Sequence, residues 1–298
     1  MSQKQELEEA LARVPLVTDI SPTSFGSWSV SKLKMLEKCP LQFFLKYCVK
    51  LVVVKEENPD DVLLRNTGTT LHRILELMFS GYNFAAAEAL AREENIASVT
   101  PERFEFVEKH YANLKSFERR IGAFEENHPI ASIDPELKLA VNRNYEPVDF
   151  FAEDAYFRGV LDLPILMENE DVLILDHKRG GSPAYGLKFH MPQLSTYHLL
   201  YHFGHRKVRG SQAGIHFMEA GAVVMSPYTK GKNIEDLLPT WLDNKIETAV
   251  QVVLEAENFQ ANKGTACTWC DYKALCKNGK RNTVGDLQEI RDATRKLF

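Results

Sequence analysis

GVLDLPILMENEDVLILDHKR, residues 159–179, is the stretch on which the reading of the chain turns. Two apolar runs flank Glu168-Asn169-Glu170-Asp171, a polar set of turn-forming residues, so the stretch predicts two short strands joined by a turn. The first strand carries Asp162 and the second ends on Asp176-His177-Lys178. Side chains alternate faces along a strand, so Asp176 and Lys178 point the same way, with Cα atoms about 6 to 7 Å apart. Pairing the strands brings Asp162 beside them. Two carboxylates facing one place can hold a hard divalent cation, and a neighbouring lysine can orient or deprotonate a water. The alternative is that all three are ordinary strand-end groups. Against it, acids are disfavoured inside strands, and Asp176 follows Leu173-Ile174-Leu175 where a buried strand surfaces.

Working outward, 298 residues with 44% hydrophobic and 26% charged can bury a sizeable core, as one large domain with accessory helices or a domain with a small appendage. MSQKQELEEALARV is polar, without an apolar stretch behind a basic start, and no run of about 18 apolar residues follows anywhere. The expectation is a cytoplasmic protein that does not cross a membrane. The net charge of −5 does not suggest a nucleic-acid binder, but the charge is unevenly placed. From His177 to Gly210 there are six Lys or Arg, five His and no Asp or Glu. A basic track beginning at a metal site suits a phosphate backbone, and the competing reading is a solvated basic face.

Upstream, Ser29 precedes Leu33 and Leu36 at helical spacing, Cys39-Pro40 interrupts, and LQFFLKY predicts a second short helix. After a loop over 55–66, Leu71, Ile74, Leu75 and Met78 form an apolar helical stripe that places His72 and Glu76 together on another face. Taken alone, His72 is more simply a structural or solvated histidine. Helices are expected near 84–94 and 101–122, within an insertion over about 84–124. Residues 134–141 alternate as a strand, with Glu136, Lys138 and Ala140 on one side. Downstream, 190–201 predicts a helix with Pro192 in its first turn and Gln193 and Tyr197 one turn apart; 212–226 reads as further strand and 234–256 as a long helix.

The five cysteines are Cys39, Cys48, Cys267, Cys270 and Cys276, the last three spaced C-x-x-C-x5-C. Clustered cysteines in a reducing compartment are metal ligands more often than disulfides, and a closed site needs a fourth thiolate from Cys39 or Cys48. Zinc and an iron-sulfur cluster both suit such ligands. A buried free thiol is the simple reading for Cys48.

Gly159-Val160-Leu161-Asp162 followed by Asp176-His177-Lys178 resembles the G-x-x-D and D-x-K motifs of the PD-(D/E)XK nuclease superfamily, in particular its RecB-like branch. Other signals stand in the order of that branch: the serine-capped helix with Cys39-Pro40, Gly68-x-x-x-His72-x-x-Leu75-Glu76, the strand with Glu136, Gln193-x-x-x-Tyr197, and the three late cysteines. The cysteine pattern is similar to the iron-sulfur staple of AddB-type and CRISPR-adaptation nucleases.

The resemblance implies an α/β fold, a restriction-endonuclease-like core with a mixed central sheet flanked by helices. It gives residues 1–28 as an N-terminal tail, 29–260 as the nuclease core with its insertion, and 261–298 as the iron-sulfur region and tail. It also implies Mg or Mn held by His72, Asp162, Asp176 and the backbone carbonyl of His177. Asp162, Asp176 and Lys178 would be catalytic with Glu136 in support, and Gln193, Tyr197 and Arg179 would guide nucleic acid. A 4Fe-4S cluster on Cys39, Cys267, Cys270 and Cys276, preferred on this resemblance to zinc, would close a loop of about 230 residues.

The implied substrate is DNA, attacked as single strands from an end, in repair or recombination. An endonuclease or flap nuclease, or a non-catalytic DNA-binding subunit of the same fold, are the alternatives. The chain has no G-x-x-x-x-G-K-[ST] motif, so unwinding falls to a helicase or recombination partner.

Overall fold

The Ser29 hydroxyl accepts from the Lys32 amide at 3.3 Å and starts α1 (Val30–Lys38), as its place before Leu33 and Leu36 predicts. In the computed structural model the described residues are 21–50, 59–95, 101–180, 187–256, 259–262, 264, 267–268, 270–273 and 276. Residues 1–20 of the expected N-terminal tail lie outside them. Cys39 is extended, with φ −156°, and Pro40 begins α2 (Pro40–Phe43), which widens into a π turn over Phe44–Cys48. These helices belong to the first of two compact units, which also holds residues 153–157 and those beyond Pro239. Its core is aromatic: Trp28 stacks on Phe43 with centroids 5.9 Å apart, and Phe259 meets Phe44 at 4.7 Å. Lys32 donates to the Ser27 carbonyl at 3.0 Å and to the Phe25 carbonyl, and its ammonium lies beneath the rings of Trp28 and Tyr47, which suits a nearly buried cation.

The second unit holds residues 57–152 and 158–239. Helix α3 (Pro59–Phe79) begins earlier than expected: Pro59–Asn66, read as loop, is already helical, because proline is at home in a first turn. Then come α4 (Phe84–Asn95), α5 (Pro101–Glu108) and α6 (Tyr111–Glu125), the last two replacing one expected helix. Strands β1 (Ile130–Ile133), β2 (Leu137–Val141), β3 (Pro147–Val148), β4 (Phe157–Leu161), β5 (Leu163–Met167) and β6 (Asp171–Lys178) follow. After them come α7 (Met191–Gly204), β7 (Gly210–Phe217), β8 (Ala222–Met225), β9 (Thr229–Lys230) and α8 (Gly231–Glu255). No described helix is long and apolar enough to cross a membrane.

The larger sheet has the order β1-β5-β6-β7-β8, with β9 also on β7, and β3-β2-β4 form a smaller one. Only β6 and β7 run parallel among the registered pairs, and α7 is the crossover between them. The mixed sheet flanked by helices is the α/β core that the sequence predicts. Strand β6 is buried along all but its last residue, as a strand covered on both faces must be.

Two details depart from the sequence reading. Asp162 is not inside a strand but at the bend between β4 and β5, where the chain passes from the small sheet to the large one. The strand read as 134–141 begins only at Leu137 and lies in the small sheet. Glu136 sits in the preceding turn at φ +54°, a left-handed conformation that Asp134-Pro135 introduces. At Gly159 a Cβ would stand 2.8 Å from Leu200 Cδ1, so the glycine admits α7 against β4.

Helices α3 to α6 cover the sheet through one continuous core of Leu71, Ile74, Leu75, Leu114, Phe117 and Ile121 against Leu163, Ile165, Leu173 and Leu175. The insertion is thus a layer of the core. Phe117, 1% exposed, anchors it by stacking on His216 with centroids 3.8 Å apart and planes at 9°. Truncating Phe117 to alanine is expected to cost about 3 to 5 kcal/mol, read as a lower midpoint in urea unfolding. A change under about 1 kcal/mol would show that the insertion is not part of the core.

Candidate metal centre

Strand alternation divides the end of β6 between two environments. Leu173 and Leu175 face the helical insertion, and so does His177, whose ring lies edge-on to Phe117 at 5.5 Å. Asp176 and Lys178 face the other way, toward α7, as the D-x-K spacing predicts. With Leu163 opposite Leu175 in the β5–β6 register, the next residue back, Asp162, comes beside Asp176. The His177 amide donates to Asp162 Oδ2 at 2.7 Å and fixes that carboxylate.

Asp176 is 1% exposed. Its Oδ1 accepts from Gln193 Nε2 at 2.9 Å and from the Tyr197 hydroxyl at 3.0 Å, and Gln193 Nε2 also donates to the Tyr197 oxygen at 2.6 Å. The one-turn spacing on α7 therefore clamps a single carboxylate oxygen. Lys178 Nζ is 2.6 Å from the other oxygen, Oδ2, yet approaches at an angle that makes no directed hydrogen bond. Oδ2 is thus a buried carboxylate oxygen held by an ion pair with Lys178 rather than by a directed hydrogen bond.

His72, on α3, places Nδ1 3.7 Å from Asp162 Oδ2. Glu136 completes the group: one ligand atom each from His72, Glu136 and Asp162 lie within 4.8 Å of one another. The left-handed turn that removes Glu136 from its expected strand is what delivers it here, and its amide donates to the Asp162 carbonyl at 3.0 Å. Beside them opens a cleft of about 630 Å³ lined by Gly68, Thr69, His72, Arg73, Glu76, Glu94 and Glu136. Arg73 spans its acids, 2.8 Å from Glu76 and 2.7 Å from Glu94.

The electrostatics are those of a site lacking positive charge. Burial, then Asp176, drives the Asp162 carboxyl well above the usual carboxylate range, with Lys178 opposing and Glu136 adding to it. Glu136 is raised by burial and then by Glu76. His72 is lowered, chiefly by burial and then by Lys178, which favours the neutral imidazole a cation requires. A nitrogen and carboxylate oxygens fit a divalent ion such as Mg or Mn, and His72, Glu136 and Asp162, with Asp176 beside Asp162, could hold it.

Other residues named from the sequence fare differently. The His177 ring is buried 3.1 Å, Nδ1 to Nδ1, from His216, a partner that the sequence reading missed and that only the parallel β6–β7 register reveals. Arg179 pairs with Glu219 at 2.9 Å. The basic track is largely neutralised by acids outside it: Arg206 faces Glu170 at 4.0 Å, Lys207 binds Glu235 at 2.9 Å, and Arg209 binds Asp171 at 3.0 Å.

In the first unit Cys39, Cys267, Cys270 and Cys276 are all unbridged and half-buried. Burial raises the Cys270 thiol pKa, and the neighbouring Cys39 and Cys276 raise it further, so these three thiols share one field. Among the described residues these cysteines do not form a group whose ligand atoms all lie within 4.8 Å of one another. Cys48 is a different case, pushed up to about 12 by burial, as an inert thiol is.

Because Asp162 is raised above its unfolded value, its contribution to stability is fully present below about pH 4, where both states hold the proton. It falls as pH climbs from there through the folded pKa, since only the unfolded chain has released its proton. Metal-free Asp162→Asn should therefore melt above the wild type at pH 7 and match it near pH 4. Millimolar Mg or Mn should raise the melting temperature of the wild type but not of the variant. A variant less stable than wild type at pH 7 would contradict this electrostatic picture.

A search of curated proteins returns no match. Among solved structures, the chain is similar to SSO0001, at 13% identity over 93% of this chain and 94% of that one, with a TM-score of 0.38. It is also similar to a "Putative exonuclease" from Eubacterium rectale, at 11% identity over 88% and 92% of the two chains, with a TM-score of 0.49. The model of the PD-(D/E)XK nuclease superfamily matches residues 27–277, spanning both units, the carboxylates and the cysteines. The chain belongs to the PD-(D/E)XK nuclease superfamily.

Proposed function

We propose that the chain is a divalent-metal-dependent deoxyribonuclease that degrades single-stranded DNA from an end, with His72, Asp162, Asp176 and the His177 carbonyl as metal ligands and Glu136 joining them. The observation that carries this reading is Asp162 beside a 1%-exposed Asp176, with Asp176 Oδ2 left without a directed donor next to Lys178. A bound Mg or Mn supplies Lewis-acid stabilisation of the charge that develops on a phosphate.

The chain's own groups do the rest. Gln193 and Tyr197 hold Asp176 Oδ1 and leave Oδ2 to Lys178 and to the ion. The His177 amide holds Asp162 in the same way. Lys178 orients the attacking water at the edge of this group, and the neutral His72 ring contributes a nitrogen without adding positive charge. Arg179 lies at the end of β6 where it can guide the strand once Glu219 releases it.

The four cysteines, in this reading, carry a structural 4Fe-4S cluster that takes no part in hydrolysis. An unwinding partner supplies the single strand, in DNA repair or recombination. The division proposed from the sequence, a nuclease core over 29–260 and an iron-sulfur region from 261, differs from the two compact units, in which residues 29–56 and 240–260 belong with the cysteines.

Asp162→Ala and Lys178→Ala are each expected to lower Mg-dependent degradation of end-labelled linear single strands by about 100-fold or more while the protein stays folded. Closed circular single strands should survive the wild type; their cleavage would move the assignment to an endonuclease. Binding without turnover would make it a non-catalytic subunit.

Anaerobically purified protein should carry about four irons per chain, and Cys267→Ala should lose them together with thermal stability. Stoichiometric zinc in place of iron, or an unchanged melting temperature, would overturn the cluster assignment.

A further inference from the structure

We infer that Phe189 is a stacking platform for a nucleobase of single-stranded DNA entering the cleft, with Lys188 meeting the adjacent phosphate; this rests on the single-strand nuclease reading above. Phe189 is 72% exposed, and among the described residues its ring meets no other ring, cation or hydrogen-bonding group. Phe151 makes the contrast. It is 75% exposed, but its ring meets Phe150 at 5.1 Å and lies 6.0 Å from the Arg158 guanidinium.

The position of Phe189 relates it to the metal centre. Its neighbour His190 packs on the Phe217 ring at 6.1 Å, and Phe217 is the β7 partner of Lys178. Four residues further on, Gln193 donates to Asp176. Chain length alone keeps the Phe189 and Gln193 Cα atoms within about 14 Å, so a base close to a phosphate bound at Lys178 is within reach.

Lys188 is exposed, and unlike most of the basic track it has no acidic partner among the described residues. A free aromatic face beside a free ammonium is the combination that holds single strands, one through the base and the other through the backbone. A duplex does not suit it, because paired bases keep their faces in the stack. Met191, next along and 36% exposed, widens the apolar surface.

The test uses the full chain with Mg and single-stranded oligonucleotides in which one abasic position is walked inward from the labelled end. Wild type should lose about ten-fold in kcat/KM at one position, the register where the base meets Phe189. Phe189→Ala should lose about ten-fold on the intact strand and nothing further at that position, and Phe189→Trp should behave as wild type. Stacking is overturned if wild type cleaves every abasic strand equally, or if Phe189→Ala matches wild type on intact DNA. It is also overturned if the two losses simply add. In those three cases the nuclease reading stands. If wild type neither binds nor cleaves single strands with any divalent metal, that reading falls and the stacking role falls with it.

Discussion

Two carboxylates buried side by side impose the constraint on which the rest of the nuclease unit depends. Like charges about 5 Å apart repel by roughly 3 kcal/mol even at an effective dielectric of 20, on top of the cost of removing each from water. The protein holds Asp162 and Asp176 in that relation through groups that cannot easily move: the His177 amide on one, Gln193 and Tyr197 on the other. Among the described residues Lys178 supplies the positive charge against them, 2.6 Å from Asp176 Oδ2. Such an arrangement persists because the surrounding fold determines it, and a bound cation would make it favourable.

The fold's contribution is clearest on the far face of β6. His177 is buried between Phe117, His72 and His216, and burial keeps both members of the histidine pair neutral, His216 at a pKa near 3. One ring must donate to the other across 3.1 Å, which fixes a tautomer and locks the strand whose amide holds Asp162. The helical insertion, through Phe117, supports the metal centre from behind. Gly159 does the corresponding work on the α7 side, where its missing side chain lets Leu200 close in.

Much of this was legible in the sequence, for definite reasons. Period-two alternation places Asp176 and Lys178 together whatever the tertiary structure, and a turn between apolar runs predicts the β5–β6 hairpin. The one-turn pair Gln193 and Tyr197 is equally local. What escaped depends on distant chain. The break at Asp162 exists because β4 and β5 serve different sheets, which no local pattern records. Glu136 looked like a strand residue because Lys138 and Ala140 continue an alternation beyond it; Asp134-Pro135 was the available turn signal. His216 pairs with His177 only through a parallel register across a crossover. The basic track seemed unopposed because Glu170, Asp171, Glu219 and Glu235 lie outside that window of sequence.

In the proposed function, a divalent ion held by this carboxylate group would contact the phosphate being cleaved. The direct test is a strand carrying a stereopure phosphorothioate at the scissile linkage, degraded in Mg and in Mn. One of the two stereoisomers is expected to be cleaved slowly in Mg, and Mn, which accepts sulfur more readily, to restore the rate. Equal rates for both stereoisomers in both metals would contradict it.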